Sequence, residues 1–206
     1  AGDRSGCRLI AQFQVVGLNC TDTALLIPDI RRTGVNPETG VIKGNRYGIK
    51  AENADTELRV ENRGSIIGVH GADSAIDAKN LEIINSGSIT SESEQAAITG
   101  DQVSLTNTGN LETDNSAIHA GSLTLDNQSA IRSRETNALE IENGAKIVNR
   151  ADGSISGKLA AVKGGESSRI DLENEGTIRG EHLAVIGGDV SIRNQGNIEA
   201  GDYAVK

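Results

Sequence analysis

Aromatic side chains are almost missing from this chain: 206 residues hold one Phe, two Tyr and no Trp, and Met is absent as well. A chain this long can bury a sizeable core, but a globular centre is ordinarily filled with such bulky groups. The interior must instead be narrow and layered from Ile, Leu, Val and Ala. Proline is scarce too, 2 residues against 25 glycines, which suits many tight corners and few rigid breaks. No run approaches the roughly eighteen apolar residues of a membrane-spanning helix. Base is short relative to acid, 20 Lys and Arg against 29 Asp and Glu, for a net charge of −9 and a pI near 4.9. That surplus disfavours DNA, RNA and heparin as primary ligands. The aromatic poverty removes the stacking platforms common in sugar-binding grooves. Protein partners, or further copies of the chain, remain.

What is present is repetition. Leu58-x-Val60-x-Asn62-x-Gly64-x-Ile66 returns as Leu81-x-Ile83-x-Asn85-x-Gly87-x-Ile89 and as Val103-x-Leu105-x-Asn107-x-Gly109-x-Leu111. It continues as Leu123-x-Leu125-x-Asn127-x-Ser129-x-Ile131, Ile170-x-Leu172-x-Asn174-x-Gly176-x-Ile178 and Val190-x-Ile192-x-Asn194-x-Gly196-x-Ile198. A looser copy has Ile147-x-Asn149, with two extra residues before Gly153-x-Ile155. The Asn steps are 23, 22, 20, 22, 25 and 20 residues, a period that identifies a solenoid. Between the motifs lies a second apolar strand, centred on Ile49, Ile76, Ile98, Ile118, Leu139, Val162, Val185 and Val205. Period-two alternation marks all of these as strands.

Each repeat thus reads as three short strands that cannot bury their inner side alone and must stack on the next coil, at about 4.8 Å per rung. The predicted fold is all-β: a parallel β-helix of three strands per rung, right-handed by the crossover preference, over residues 37–206. Parity puts Asn62, Asn85, Asn107, Asn127, Asn149, Asn174 and Asn194 on the inner side. A lone buried amide would cost about 1–3 kcal/mol, so these residues are expected to form a ladder in which each amide meets the next. The Gly two positions on is expected to supply a corner with positive φ.

Residues 1–36 break this pattern and hold both cysteines, Cys7 and Cys20. They are predicted to form an N-terminal cap, a hairpin closed by a Cys7–Cys20 disulfide that seals the top of the column and implies an oxidising compartment. The alternative is two free thiols in a cytosolic protein. At the other end the chain stops at Tyr203-Ala204-Val205-Lys206, within a rung, as expected of a fragment whose raw strand edge would invite association. The start at Ala1 without a charged and apolar leader is what a mature exported form would show.

Catalytic signals are weak. His70, His119 and His182 fall at unrelated offsets from their strand centres, and no Cys or His spacing suggests zinc. The outward row Lys50, Asp77, Thr99, His119, Glu140, Lys163, Ile186 mixes signs and reads as a solvated strand face, not as a paired-acid site. Gly-x-Ser-x-Gly and the Gly-Gly-x-Gly-x-Asp calcium repeat are absent. Gly164-Gly165 and Gly187-Gly188 lack the helix start of a phosphate loop and read as corners. Asn127-Gln128-Ser129 has the form of a glycosylation sequon but belongs to the inner ladder. No catalytic, metal or cofactor site is predicted.

The Leu-x-Ile-x-Asn-x-Gly-x-Ile strands with their Ala-Ile partners resemble the passenger repeats of monomeric, type Va autotransporters of Gram-negative bacteria, over residues 37–206 and more weakly over 1–36. Two-partner secreted exoproteins share the style. The resemblance implies type V secretion through a C-terminal outer-membrane barrel and display at the cell surface, or release outside the cell. It implies action as an adhesin or virulence scaffold, by self-association or by binding host proteins. The alternatives are a dedicated binder of one soluble host protein, with its paratope in the extra residues of 132–145 or 158–169, and a polysaccharide-degrading β-helix enzyme.

Overall fold

The computed structural model describes residues 13–14, 18–20, 23–27, 31–51, 53, 55–69 and 73–206. They form an all-β parallel solenoid of about eight turns without a helix. Each turn carries three strands, and every pairing between turns is parallel. On the first face stand the asparagine strands, such as Glu57–Asn62 and Asn80–Asn85. A corner then leads to four-residue strands such as Ser65–Gly68 and Ser88–Ser91, which make a continuous nine-stranded sheet of their own. The third face carries the Ile49, Ile76 and Val185 rows. In three turns it runs into the next asparagine strand without a break, giving the long strands Ile98–Asn107, Ile118–Asn127 and Leu139–Asn149.

Register explains why the pattern repeats so strictly. Leu81 lies opposite Leu58 and Val103, Ile66 opposite Ile42 and Ile89, and Ile98 opposite Ile76 and Ile118. A slip of one residue would turn every buried side chain outward, so each row keeps one character from turn to turn. The inward members are buried almost completely, in one continuous core from Ile42 to Val185. Changes in repeat length are absorbed outside these rows. The bulge opposite Ala120 and Ser122 takes up the surplus between Ile141 and Gly144. A tight turn closes 165–168, with Ser168 N–H donating to the Gly165 carbonyl at 3.0 Å. The extra residues of 132–145 and 158–169 therefore stay against the column as a bulge and a turn.

The stack begins before residue 37. Arg31–Asn36 pairs in parallel with Glu57–Asn62, Phe13–Gln14 with Gly34 and Val35, Leu18–Cys20 with 42–44, and Thr23–Ile27 with the strand Tyr47–Ala51. The described strands of 13–27 are thus a further turn of the solenoid, and Arg31–Asn36 is the asparagine strand of the turn after it. These strands pair in parallel with the column and not as a hairpin; Cys7, and with it the expected Cys7–Cys20 disulfide, lies outside the described residues.

Candidate functional site

All seven asparagines expected in the ladder are in it, and Asn36 joins them. Nδ2 of Asn36 donates to Oδ1 of Asn62 at 2.7 Å, and the same bond repeats through Asn85, Asn107, Asn127, Asn149, Asn174 and Asn194 at 2.7–2.9 Å. Asn36 through Asn174 are buried to 1% exposure or less. The second amide hydrogen is used as well: Asn62 Nδ2 also reaches the Ser88 carbonyl at 3.1 Å, and Asn149 Nδ2 the Thr177 carbonyl at 3.3 Å. Oδ1 of Asn36 accepts nothing among the described residues. Sequence reading missed Asn36 because Pro37-Glu38-Thr39 separates it from Gly40. The same spacing stands in Asn149-Arg150-Ala151-Asp152-Gly153, and both corners close by an N–H of the Gly on the carbonyl three residues back, at 2.7 and 2.8 Å.

The glycines of this corner do not have the positive φ expected of them. Their requirement is close approach. A Cβ on Gly87 would run into the carbonyl oxygen of Gly64, one on Gly109 into that of Gly87, and one on Gly196 into that of Gly176, all far inside van der Waals contact. Ser129 shows what a side chain does there. The N–H groups of Gly87, Gly109, Gly176 and Gly196 bond the Asn carbonyl of the preceding turn at 3.0–3.3 Å, whereas the Ser129 N–H turns to Oδ1 of Asn127 in its own turn at 3.4 Å. Pairing of the short strands then begins at Leu111 opposite Ile131, one residue later than at the Ser88–Asn110 level above it.

With the interior committed to stacking, chemistry is left to the outward rows. Register places like positions above one another, and the charges pair between turns: Arg59 with Glu82 at 2.8 Å, Lys50 with Asp77 at 3.3 Å, and Arg150 with Asp126 through two hydrogen bonds of 2.9 and 3.0 Å. The Arg150 guanidinium holds the Asp126 carboxyl below the usual carboxylate range despite partial burial. His119 meets Glu142 at 3.2 Å and His182 meets Asp202 at 3.0 Å, each as one more rung-to-rung pair. His70 lies outside the described residues.

A polar cluster surrounds Tyr47. Lys50 Nζ sits 3.8 Å from its ring centroid, and Arg46 Nε donates to Asp73 at 2.6 Å. Burial pushes the Tyr47 hydroxyl above its ordinary value. For Lys50, burial works downward, but the Tyr47 hydrogen bond and the Asp77 carboxylate outweigh it and hold the amine above its ordinary value. Asp73 is pushed up by burial and, more strongly, down by Arg46 and Tyr47. The tyrosine and lysine are thus kept protonated and the aspartate charged.

Among the described residues, two open grooves lie across the outward rows. One, of about 650 Å³, follows the asparagine face over Thr33, Arg59, Asn80, Glu82, Gln102 and Thr124, mostly amides and hydroxyls around the Arg59–Glu82 pair. The other, of about 590 Å³, lies on the short-strand face over Arg132, Arg134, Ser156, Lys158, Thr177 and Arg179. Neither was visible in the repeat itself, because the outward positions do not follow its pattern. No group of three or more His, Cys, Asp or Glu able to hold a metal occurs among the described residues. No known family matches the chain, and neither curated proteins nor solved structures show significant similarity to it.

Proposed function

We propose that this chain is part of the passenger of a type Va autotransporter, exported across the envelope of a Gram-negative bacterium. It is displayed on the cell surface, or released from it, as a non-catalytic adhesive scaffold that binds host proteins or other copies of itself. The observation that carries this reading is the division between inward and outward rows. Inward positions are held by stacking, from the Ile66 and Ile98 rows to the asparagine ladder. The outward positions vary freely in charge and hydrogen-bonding type over a column on the order of 40 Å long at about 4.8 Å per turn. Such a body presents a long ligand surface at a distance from its anchor. Fusion of the chain to a heterologous outer-membrane barrel, in cells stripped of their own adhesins, tests it. Attachment to immobilised, deglycosylated host matrix proteins, or clumping of the cells, should exceed that of the barrel alone and be competed by soluble chain. Neither behaviour, together with release of reducing ends from acidic polysaccharides, would replace this reading with the polysaccharide-degrading enzyme.

A further inference from the structure

On the short-strand face one outward row reads Glu112, Arg132, Ser156, Arg179 and Glu199, each opposite the next in register. The cations beside it are already engaged: Arg134 holds Asp114 at 2.7 Å and Glu112 at 3.2 Å, and Lys158 holds Glu135 at 2.6 Å. Arg132 and Arg179 are exposed, and neither has an ion-pair partner among the described residues. They stand two turns apart, about 10 Å along the axis, with the half-buried hydroxyls of Ser154, Ser156 and Thr177 between and beside them. In a chain of net charge −9, the groove sets these two guanidinium groups, each in register beside a glutamate, around a row of hydroxyls, with Glu181 and Glu199 also in its lining.

We propose that this groove binds a linear, sparsely charged acidic glycan laid along the column axis, with one carboxylate on every second sugar. Arg132 and Arg179 each take a carboxylate, and the three hydroxyl groups meet sugar hydroxyls. The guanidinium fork matches a carboxylate in two parallel hydrogen bonds, and the two-turn spacing is of the order of a disaccharide rise. Glu112 and Glu199 close the row at both ends, so a densely sulfated chain would lay anions against carboxylates, and the overall negative charge repels a long polyanion further. Without aromatic platforms, neutral sugars and unstacked bases gain little here. This ligand class goes beyond adhesion to protein, and it is read from the local charge order that the net charge conceals.

Titration calorimetry of the whole chain with a hyaluronan octasaccharide tests the proposal, with a heparin octasaccharide and maltooctaose as contrasts. Hyaluronan should bind, less tightly as salt rises, and both contrasts more weakly. Arg132→Gln and Arg179→Gln should each weaken binding about tenfold, the loss of one charge-assisted pair. Ser156→Glu seats a carboxylate between the two arginines, so it should abolish binding while leaving the thermal midpoint unchanged or raised. No binding of hyaluronan by the parent chain, equal binding by the three variants, or tighter binding of heparin or maltooctaose would overturn it. Because attachment to deglycosylated protein is scored separately, failure of either proposal leaves the other legible.

Discussion

Replacing Asn107 tests the ladder at its centre. Its Oδ1 accepts from Asn85 at 2.8 Å and its Nδ2 donates to Asn127 at 2.9 Å, at 0% exposure. Asn107→Ala leaves Oδ1 of Asn127 with only the distant Ser129 N–H at 3.4 Å, while Nδ2 of Asn85 keeps the Asn110 carbonyl at 3.3 Å. The orphaned acceptor costs about 1–3 kcal/mol and the lost bond on the other side about 0.5–1.5 kcal/mol. We expect a destabilisation of about 2–4 kcal/mol in urea unfolding, the same at all pH values. Asn107→Asp adds a pH signature. An ionised carboxylate cannot donate to Asn127, and burial raises its folded pKa above the unfolded value. The acid form, with one O–H to donate, restores the chain of bonds, so stability should be full below about pH 4 and fall as pH rises through the raised folded pKa. Amide hydrogen exchange should show the damage in the turns next to Asn107 before distant ones, since solenoid turns couple chiefly to their neighbours. A loss below about 1 kcal/mol for the alanine variant, or an aspartate variant indifferent to pH, would refute the ladder as an energetic element.

Four further outcomes are expected. Gly87→Ala forces a Cβ against the Gly64 carbonyl and should cost about 1–3 kcal/mol, whereas Ser129→Gly, which removes a side chain from the equivalent corner, should stay within about 1 kcal/mol in the same unfolding assay. The Asp126 carboxyl, held low by Arg150, contributes stability present above its unfolded pKa and lost as pH falls through the folded one. The thermal midpoint should therefore drift down below about pH 4, and Asp126→Asn should flatten that limb, modestly because the pair is partly solvated. If Cys7 and Cys20 are joined, native protein from an oxidising compartment should react with no thiol reagent until it is reduced; two thiols titrating at once would remove the disulfide. Light scattering across concentration should show reversible growth beyond the monomer if self-association carries the adhesion, and a constant monomer mass would leave host-protein binding.

The inner half of this protein was legible in its sequence because register forces repetition: Leu58, Leu81 and Val103 occupy one row and had to share one character. Asn36 and the turn around it escaped notice because the corner insertion at 37–39 hid the spacing, although 150–152 carries the same insertion. The role of the corner glycines was misread for a physical reason. A turn glycine suggests backbone freedom, but the requirement at Gly87 comes from the carbonyl of the turn beneath it, which no single repeat contains. The grooves were illegible for the opposite reason. Arg132, Ser156 and Arg179 come together only through stacking, across steps of 24 and 23 residues that impose nothing on an outward side chain.

The parallel pairing between turns also sets how the column answers a pull. Strands lie across the axis, so tension along it loads the hydrogen bonds between two turns end-on, where they open in succession instead of shearing together. Each opened turn of about 22 residues frees on the order of 75 Å of extended chain in exchange for about 4.8 Å of column. Under such a pull the body would lengthen stepwise while its remaining turns kept their shape.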